Sequence, residues 1–281
     1  MGAEHYEPTA EGLLRLLERL RAPTIMAILR SPNGCPWDRA QTRETLGRSL
    51  AGETAELLDA IDRGDASAIC DELGDVLMNA LFQIVLAREK GEFTAEDVFG
   101  GVIAKMIRRH AHIFGDEKAE TPEEVTAVWR KVKEAEQAGS AASESILDKV
   151  PHSLSALDRA EKLQKRAAKV GFDWSDEAGI LAKIEEELGE LKEAMASGRS
   201  EEIDAELGDL LFAASNLARF RGGRTSEELL RQTNRRFEGR FRFIERELAR
   251  EKIPLESAGI ERMEALWCEA KRHEREERTE P

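Results

Sequence analysis

The sequence predicts an all-α protein built as two tandem helical bundles of the same design, the product of an internal duplication. Three observations carry that expectation. Apolar residues recur at the three- and four-residue spacing of a helix, and no stretch shows the alternation of a half-buried strand. Ala, Leu, Glu, Lys and Arg dominate the composition, and these residues favour helix. An acidic pattern also occurs twice: Glu53, Glu56, Glu72 and Asp75 are matched, with identical internal spacing, by Glu187, Glu190, Glu206 and Asp209.

Residues 1–10 read as a frayed end. A short amphipathic helix follows on Leu13, Leu14, Leu16, Leu17 and Leu20, is interrupted by Pro23, and gives way to a second carrying Ile25, Ile28 and Leu29. Ser31 to Asp38 holds two prolines and Asn33-Gly34 and reads as a loop; Trp37 either lines a pocket or, more simply, anchors the loop on the core. A helix over about 42–61 turns Leu46, Leu50, Leu57 and Ile61 inward, and Arg63-Gly64-Asp65 ends it. The next, about 66–90, turns in Ile69, Leu73, Val76, Leu77, Ala80 and Ile84, and Gly91 closes it. Thr94 caps a helix with Asp97 three residues on, followed by Val98, Val102, Met106 and Ile107. Arg108-Arg109-His110-Ala111-His112-Ile113-Phe114-Gly115 closes that helix, and Thr121-Pro122-Glu123-Glu124 opens another bearing Val125, Val128, Trp129 and Val132.

Residues 137–152 are small and polar and read as a linker between a domain at 1–136 and a second at 153–281. The second domain repeats the plan. Helices are expected at about 153–169, 176–196, 200–220, 225–250 and 260–276, with breaks at Val170–Trp174, Ser197-Gly198-Arg199 and Arg221–Arg224.

Composition narrows the function. The 281 residues suffice for about two domains, and 41% hydrophobic residues can build real cores. With 42 basic and 56 acidic residues the net charge is −14, which argues against nucleic acid or an anionic membrane as the main partner. Cys35, Cys70 and Cys268 are scattered without ligand spacing, as buried or incidental thiols in a reducing compartment would be. No apolar run is long enough for a membrane span and the first residues show no signal pattern, so the expected location is the cytoplasm.

The acidic pattern carries the chemistry. Glu187 and Glu190 share one helical face, as do Glu206 and Asp209. Two such helices facing each other converge four carboxylates, which burial would penalise heavily without a cation; clustered carboxylate oxygens suit a hard ion such as Mg2+. One Glu-x-x-Glu in a chain that is 35% charged is ordinarily a solvated face. The second copy changes that reading, and so do the groups that recur with it. Lys105 and Arg109 lie four apart in the first half, as do Arg236 and Arg240 in the second; Trp129 and Lys133 are matched by Trp267 and Lys271. Each Trp alone reads as a core aromatic and each cation as a surface group. Together they suit a metal-bound polyphosphate held by basic side chains, with a Trp to stack on base or sugar.

At these residues the sequence resembles the MazG nucleoside triphosphate pyrophosphohydrolases, over roughly residues 23–273. The motifs are Asn33 to Asp38, Arg108-Arg109-His110 with His112 and Phe114, Gln164-Lys165-Arg166 with Val170 to Trp174, Glu206 to Phe212, Asn216 to Arg219, and Asn234 to Arg240. The resemblance implies an all-α homodimer whose helices pair across subunits. It also implies Mg2+-dependent cleavage of NTPs and dNTPs to the monophosphate and pyrophosphate, with Mn2+ as a possible substitute. Glu187, Glu190, Glu206 and Asp209 match the family's metal ligands. Lys183, Arg236, Arg240, Trp267 and Lys271 resemble its nucleotide contacts, with Asn216 as a further candidate two turns beyond Asp209. Glu186 and Glu187 are the expected catalytic carboxylates, Glu186 as general base or as ligand to an additional ion. The first half departs from the pattern: Gly52 stands where Glu186 stands. The second half is therefore expected to be the working site, and the Glu53, Glu56, Glu72, Asp75 site the weaker one.

Two other classes fit the sequence less well. A di-iron bundle uses Glu-x-x-His pairs, and none of these pairs contains His. A non-enzymatic helical adaptor fits the acidic duplicated bundles, but gives no reason for Trp-x-x-x-Lys and basic pairs to recur with the acids.

Overall fold

Threonine, aspartate and serine side chains start many of the helices, and left-handed Gly64 and Gly198 end two of them. The computed structural model describes residues 22–138 and 145–279, and among these there is no strand. The helix expected on Leu13 to Leu20 and residues 139–144 of the expected linker lie outside the described residues. The chain divides into two compact units, 1–140 and 141–281.

The first unit comprises α1 (Ala22–Leu29), α2 (Pro36–Ala40), α3 (Arg43–Arg63), α4 (Ala66–Glu89), α5 (Ala95–Arg109), α6 (Ala111–Phe114) and α7 (Pro122–Ala138). Thr42 and Thr94 start α3 and α5 with reciprocal capping boxes to Thr45 and Asp97, satisfying backbone N–H groups that a helix start leaves unpaired. Gly64 ends α3 in the left-handed region at φ 68°, where a side chain would be strained, and Asp65 caps α4 by accepting from Ser67 and Ala68. That two-residue joint makes α3 and α4 an antiparallel hairpin. Met26, Leu46, Leu81, Phe82, Val85 and Leu86 form the core beneath it. Arg30 ties α1 to the end of α4 with two 2.7 Å bonds to Glu89.

The second unit comprises α8 (Ala156–Ala168), α9 (Glu177–Ser197), α10 (Ser200–Arg221), α11 (Ser226–Glu251) and α12 (Gly259–Thr279), with a 3-10 turn at Leu255–Ser257. Asp176 caps α9 by accepting from Gly179, Gly198 ends it at φ 70°, and Thr225 opens α11 through a box with Glu228. The duplication is visible helix by helix. Glu53 and Glu187, Gly64 and Gly198, and the starts of α3 and α9 are all 134 residues apart. Ile244, Leu248 and Leu266 pack α11 on α12, and full burial of such side chains contributes about 1.5–3 kcal/mol each. Leu163-Gln164 on α8 faces α10, whose Phe212 carbonyl accepts a 2.8 Å bond from Gln164.

Several expectations need correction. Residues 36–40 are not loop but a short helix begun by Pro36, whose missing N–H costs nothing at a helix start. Trp37 is 66% exposed and anchors nothing within the unit. Of the predicted inner stripes, Leu46 is buried, but Ile61, Leu73, Leu77, Val102, Met106 and Ile107 are exposed. The apolar period marks a face made for burial, and in this unit that face is left uncovered. The α5 helix also ends at Arg109, with His110–Phe114 forming its own turn rather than a continuation.

Candidate active site

The α9–α10 hairpin aligns two acidic turns, and the consequence is a crowded cluster. Glu187, Glu190 and Glu206 offer carboxylate oxygens all within 4.8 Å of one another. Glu187 is only 5% exposed, an unusual burial for a carboxylate. Lys183, one turn earlier, bridges Glu186 and Glu187 with its Nζ 2.7 Å from each, and those two bonds push its pKa up. The Glu190 carboxyl is pushed above the usual range, first by loss of water and then by the charges of Glu187 and Glu206. Asp209 lies outside the three-acid group but lines the cavity that Glu187 also lines.

That cavity measures about 680 Å3 and lies wholly in the second unit. Lys183, Glu187, Asp209 and Asn216 from the sequence-derived set line it. So do Gln164, Phe172, Asp173, Trp174, Phe212 and Arg219, to which the sequence reading assigned motifs but no role. Asp173 holds Arg219 with both carboxylate oxygens, and Arg219 in turn donates to Asn216 at 2.7 Å. The Arg219 guanidinium keeps the Asp173 carboxyl below its ordinary range. Trp174 packs against the first turn of α9: a Cβ on Gly179 would stand 2.8 Å from its ring, so only glycine leaves room for it. The i, i+3 pair Asn216 and Arg219 was a signal for this network; its partner Asp173 was not visible until the chain was folded.

The remaining candidates gather elsewhere. Arg236 and Arg240 are on α11, Trp267 and Lys271 on α12, and none of the four lines the cavity. Arg240 is paired with Glu274 at 2.7 Å and lies 5.1 Å over the ring of Trp267. Trp267 also backs onto the Ile244–Leu248–Leu266 core and sits 5.3 Å from Phe237. Arg236 donates to Thr233 at 2.8 Å.

The first unit repeats much of this. Glu53, Glu56 and Glu72 again offer oxygens within 4.8 Å, with Asp75 outside the group. Glu72 is pushed up by loss of water and by Glu56, Asp75, Asp71 and Glu53. Arg109 pairs with Glu136, seven residues after Trp129, as Arg240 pairs with Glu274, seven after Trp267. Two groups are missing: Gly52 replaces Glu186, and Ser49, 3.4 Å from Glu53, stands where Lys183 stands. The Lys133 side chain lies outside the described residues.

Two α-helical units, each with facing acidic turns that converge on a carboxylate cluster, define a tandem all-α protein with a duplicated carboxylate site. The chain belongs to the MazG family: the model of the MazG nucleotide pyrophosphohydrolase domain matches residues 41–114 and again 176–242. It is 42% identical over 257 residues to the nucleoside triphosphate pyrophosphohydrolase of Escherichia coli K12, covering 90% of this chain and 97% of that one. It is likewise 42% identical to the nucleoside triphosphate pyrophosphohydrolase/pyrophosphatase MazG of Thermotoga maritima, over 88% of this chain and 93% of the relative. A nucleoside triphosphate pyrophosphohydrolase of Mycobacterium tuberculosis is 34% identical over 49% of this chain and 41% of its own length.

Proposed function

We propose that the chain is a cytoplasmic, Mg2+-dependent nucleoside triphosphate pyrophosphohydrolase that works as a homodimer, converting an NTP or dNTP and water to the monophosphate and pyrophosphate. Family membership supports the enzymatic class and weighs against the adaptor reading. No described helix is long and apolar enough to cross a membrane. The observation that carries the site is the buried Glu187 with Glu190 and Glu206 within 4.8 Å, on the wall of a cavity it shares with Lys183 and Asp209.

The residues fit a hard divalent ion. The donor set is all carboxylate oxygen, and the Glu190 pKa is raised first by loss of water and then by Glu187 and Glu206, whose repulsion a cation would relieve. Glu187, Glu190, Glu206 and Asp209 would hold Mg2+, or Mn2+ in its place. Bound there, the ion would neutralise phosphate charge and acidify water. Glu186, 56% exposed at the side chain and released once Lys183 turns to phosphate, would take the proton from the water that attacks the α-phosphorus. Lys183 would exchange its carboxylate partners for a phosphate oxygen. Arg236, Arg240 and Lys271 would neutralise the departing pyrophosphate, and Trp267 would offer a stacking face to the sugar. A panel of NTPs and dNTPs tests the reading. Mg2+ should release pyrophosphate without orthophosphate, heavy-oxygen water should label the monophosphate, and chelation should stop the reaction. Orthophosphate as first product would refute it.

The dimer rests on uncovered apolar surface. Ile61, Leu73, Leu77 and Met78 on α3 and α4, and Leu207, Leu211 and Phe212 on α10, are 44–61% exposed. A second copy of the chain, presenting the same faces, would bury them. Sedimentation should give about twice 31.4 kDa, and a monomer at working concentration would remove the proposal.

A further inference from the structure

We propose that Lys183 is an internal counter-ion that makes metal binding at the second acidic cluster depend on the arrival of a polyphosphate. Its ammonium holds Glu187 until phosphate oxygens draw it away. The proposal rests on the pyrophosphohydrolase reading for its polyphosphate, and adds to it the order in which the site is filled.

The cluster is already partly occupied by the protein's own cation. Lys183 Nζ lies 2.7 Å from a Glu186 oxygen and 2.7 Å from a Glu187 oxygen. Glu187 is the one buried acid of the three that converge. A carboxylate that accepts from an ammonium has less of its field to offer a second cation. A divalent ion taking Glu187, Glu190 and Glu206 must therefore displace that ammonium or share Glu187 with it. Two cations on one buried carboxylate repel strongly, because little water or salt lies between them to screen the charges.

Helix support does not account for this pair. Lys183 precedes its two acids in α9 by three and four residues, and the order with the cation first is the weaker one for a helical ion pair. The position of Lys183 at the cavity accounts for it better. Lys183 shares the cavity wall with Glu187 and Asp209, and its side chain is still 34% exposed. It can therefore face the acids beside it or an anion that enters the cavity. An ammonium on a flexible stem, with three donors, turns from one to the other without movement of the backbone. Polyphosphate in the cavity would take the ammonium and leave Glu187 to the cation. A cation on the acids would in turn drive the ammonium toward the phosphate, since coupling between two sites is reciprocal. The protein alone would then hold its ion weakly, and the full site would assemble only with substrate.

The first unit supplies the contrast. Ser49 stands where Lys183 stands, 3.4 Å from Glu53, and brings no charge. Metal binding to that cluster has no ammonium at this position to displace, and so no such coupling.

Mn2+ calorimetry tests the proposal on the full-length chain carrying Glu72→Ala, so that the second cluster is the one read. Lys183→Met added to that chain should bind Mn2+ alone about tenfold more tightly, within the usual range of coupling between sites. Lys183→Arg, which keeps the charge, should stay within about twofold of the lysine chain. A lysine that only braces Glu187 predicts the opposite sign, because its loss would loosen the ligand. Weaker or unchanged Mn2+ binding by Lys183→Met, with a urea unfolding curve showing that it folds, overturns the proposal.

Inorganic tripolyphosphate gives a measurement that leaves Lys183 in place. At saturation, after correction for the complex that it forms with Mn2+ in solution, it should tighten Mn2+ binding to the lysine chain. Lys183→Met should reduce that factor; direct metal–phosphate contact contributes in both chains, so the difference between them is the readout. Absence of tightening in the lysine chain overturns the proposal whether or not the variant folds. If NTPs are cleaved to pyrophosphate while Lys183→Met leaves Mn2+ binding unchanged, the coupling alone fails. If the Mn2+ results are as expected and no NTP is cleaved, the coupling stands and the pyrophosphohydrolase reading fails.

Discussion

Glu187→Ala should abolish pyrophosphate release, lowering kcat by far more than the roughly tenfold to hundredfold that loss of a group merely supporting a metal ligand produces. The expectation rests on where Glu187 lies. It is the most buried of the acids in its cluster, it lines the cavity, and its oxygens are within reach of Glu190 and Glu206. Without it the ion would lose its least solvent-competed ligand, and Lys183 would be left with Glu186 alone. The fold should tolerate the change. Glu190 is pushed up first by loss of water and then by Glu187 and Glu206; removing Glu187 relieves part of that repulsion, so the metal-free variant should unfold at the same denaturant concentration or a higher one. Turnover and Mn2+ binding, read beside an unfolding curve, decide the matter. A folded Glu187→Ala that still releases pyrophosphate at the wild-type rate would sink the assignment.

Glu206→Ala and Glu72→Ala should then part company. The two residues occupy the same position in the two copies, each inside a three-acid group. Loss of Glu206 should end catalysis, whereas loss of Glu72 should leave most of it. The reason is what surrounds each cluster. The second copy has Glu186 as an outward carboxylate and Lys183 as a cation on the cavity wall; the first has Gly52 and Ser49 at those positions. It retains the acids for an ion but lacks both the proposed proton acceptor and the proposed phosphate contact. Steady-state rates for the two variants, measured at saturating Mg2+, give the comparison. Equal inactivation would mean that the first cluster is catalytic or that the copies work only together.

What could be read ahead of the structure followed from interactions local in the chain. The capping threonines, the left-handed glycines and the i, i+3 acids all act within one or two turns, and Thr94, Thr225, Gly64 and Gly198 mark their helix ends as local chemistry requires. The duplication gave the acidic turns their partners without any knowledge of packing. Burial was less legible. Ile61, Leu73 and Leu77 obey the helical period yet are exposed, because the period records that a face is to be covered and says nothing of which chain covers it. Trp37 misled for a related reason: a large aromatic in a loop usually finds a core, and this one does not. The cavity was the least legible part. Gln164, Asp173, Trp174 and Arg219 come from α8, the turn after it and the end of α10, and spacing along one helix cannot reveal a wall assembled from three.

The pairing of Arg240 with Glu274 has a consequence for ionic strength. A guanidinium already neutralised by a carboxylate is not a bare cation waiting for an anion, so a phosphate can reach it only by taking the carboxylate's place. One anion leaves as another arrives, and few counterions are released to the bulk. Arg109 and Glu136 repeat the arrangement in the first unit. Added salt, which screens bare charges, has less to act on in such a swap. Of the basic side chains that recur with the acids, these two arginines, in the proposed role, would discriminate between anions rather than attract them from a distance.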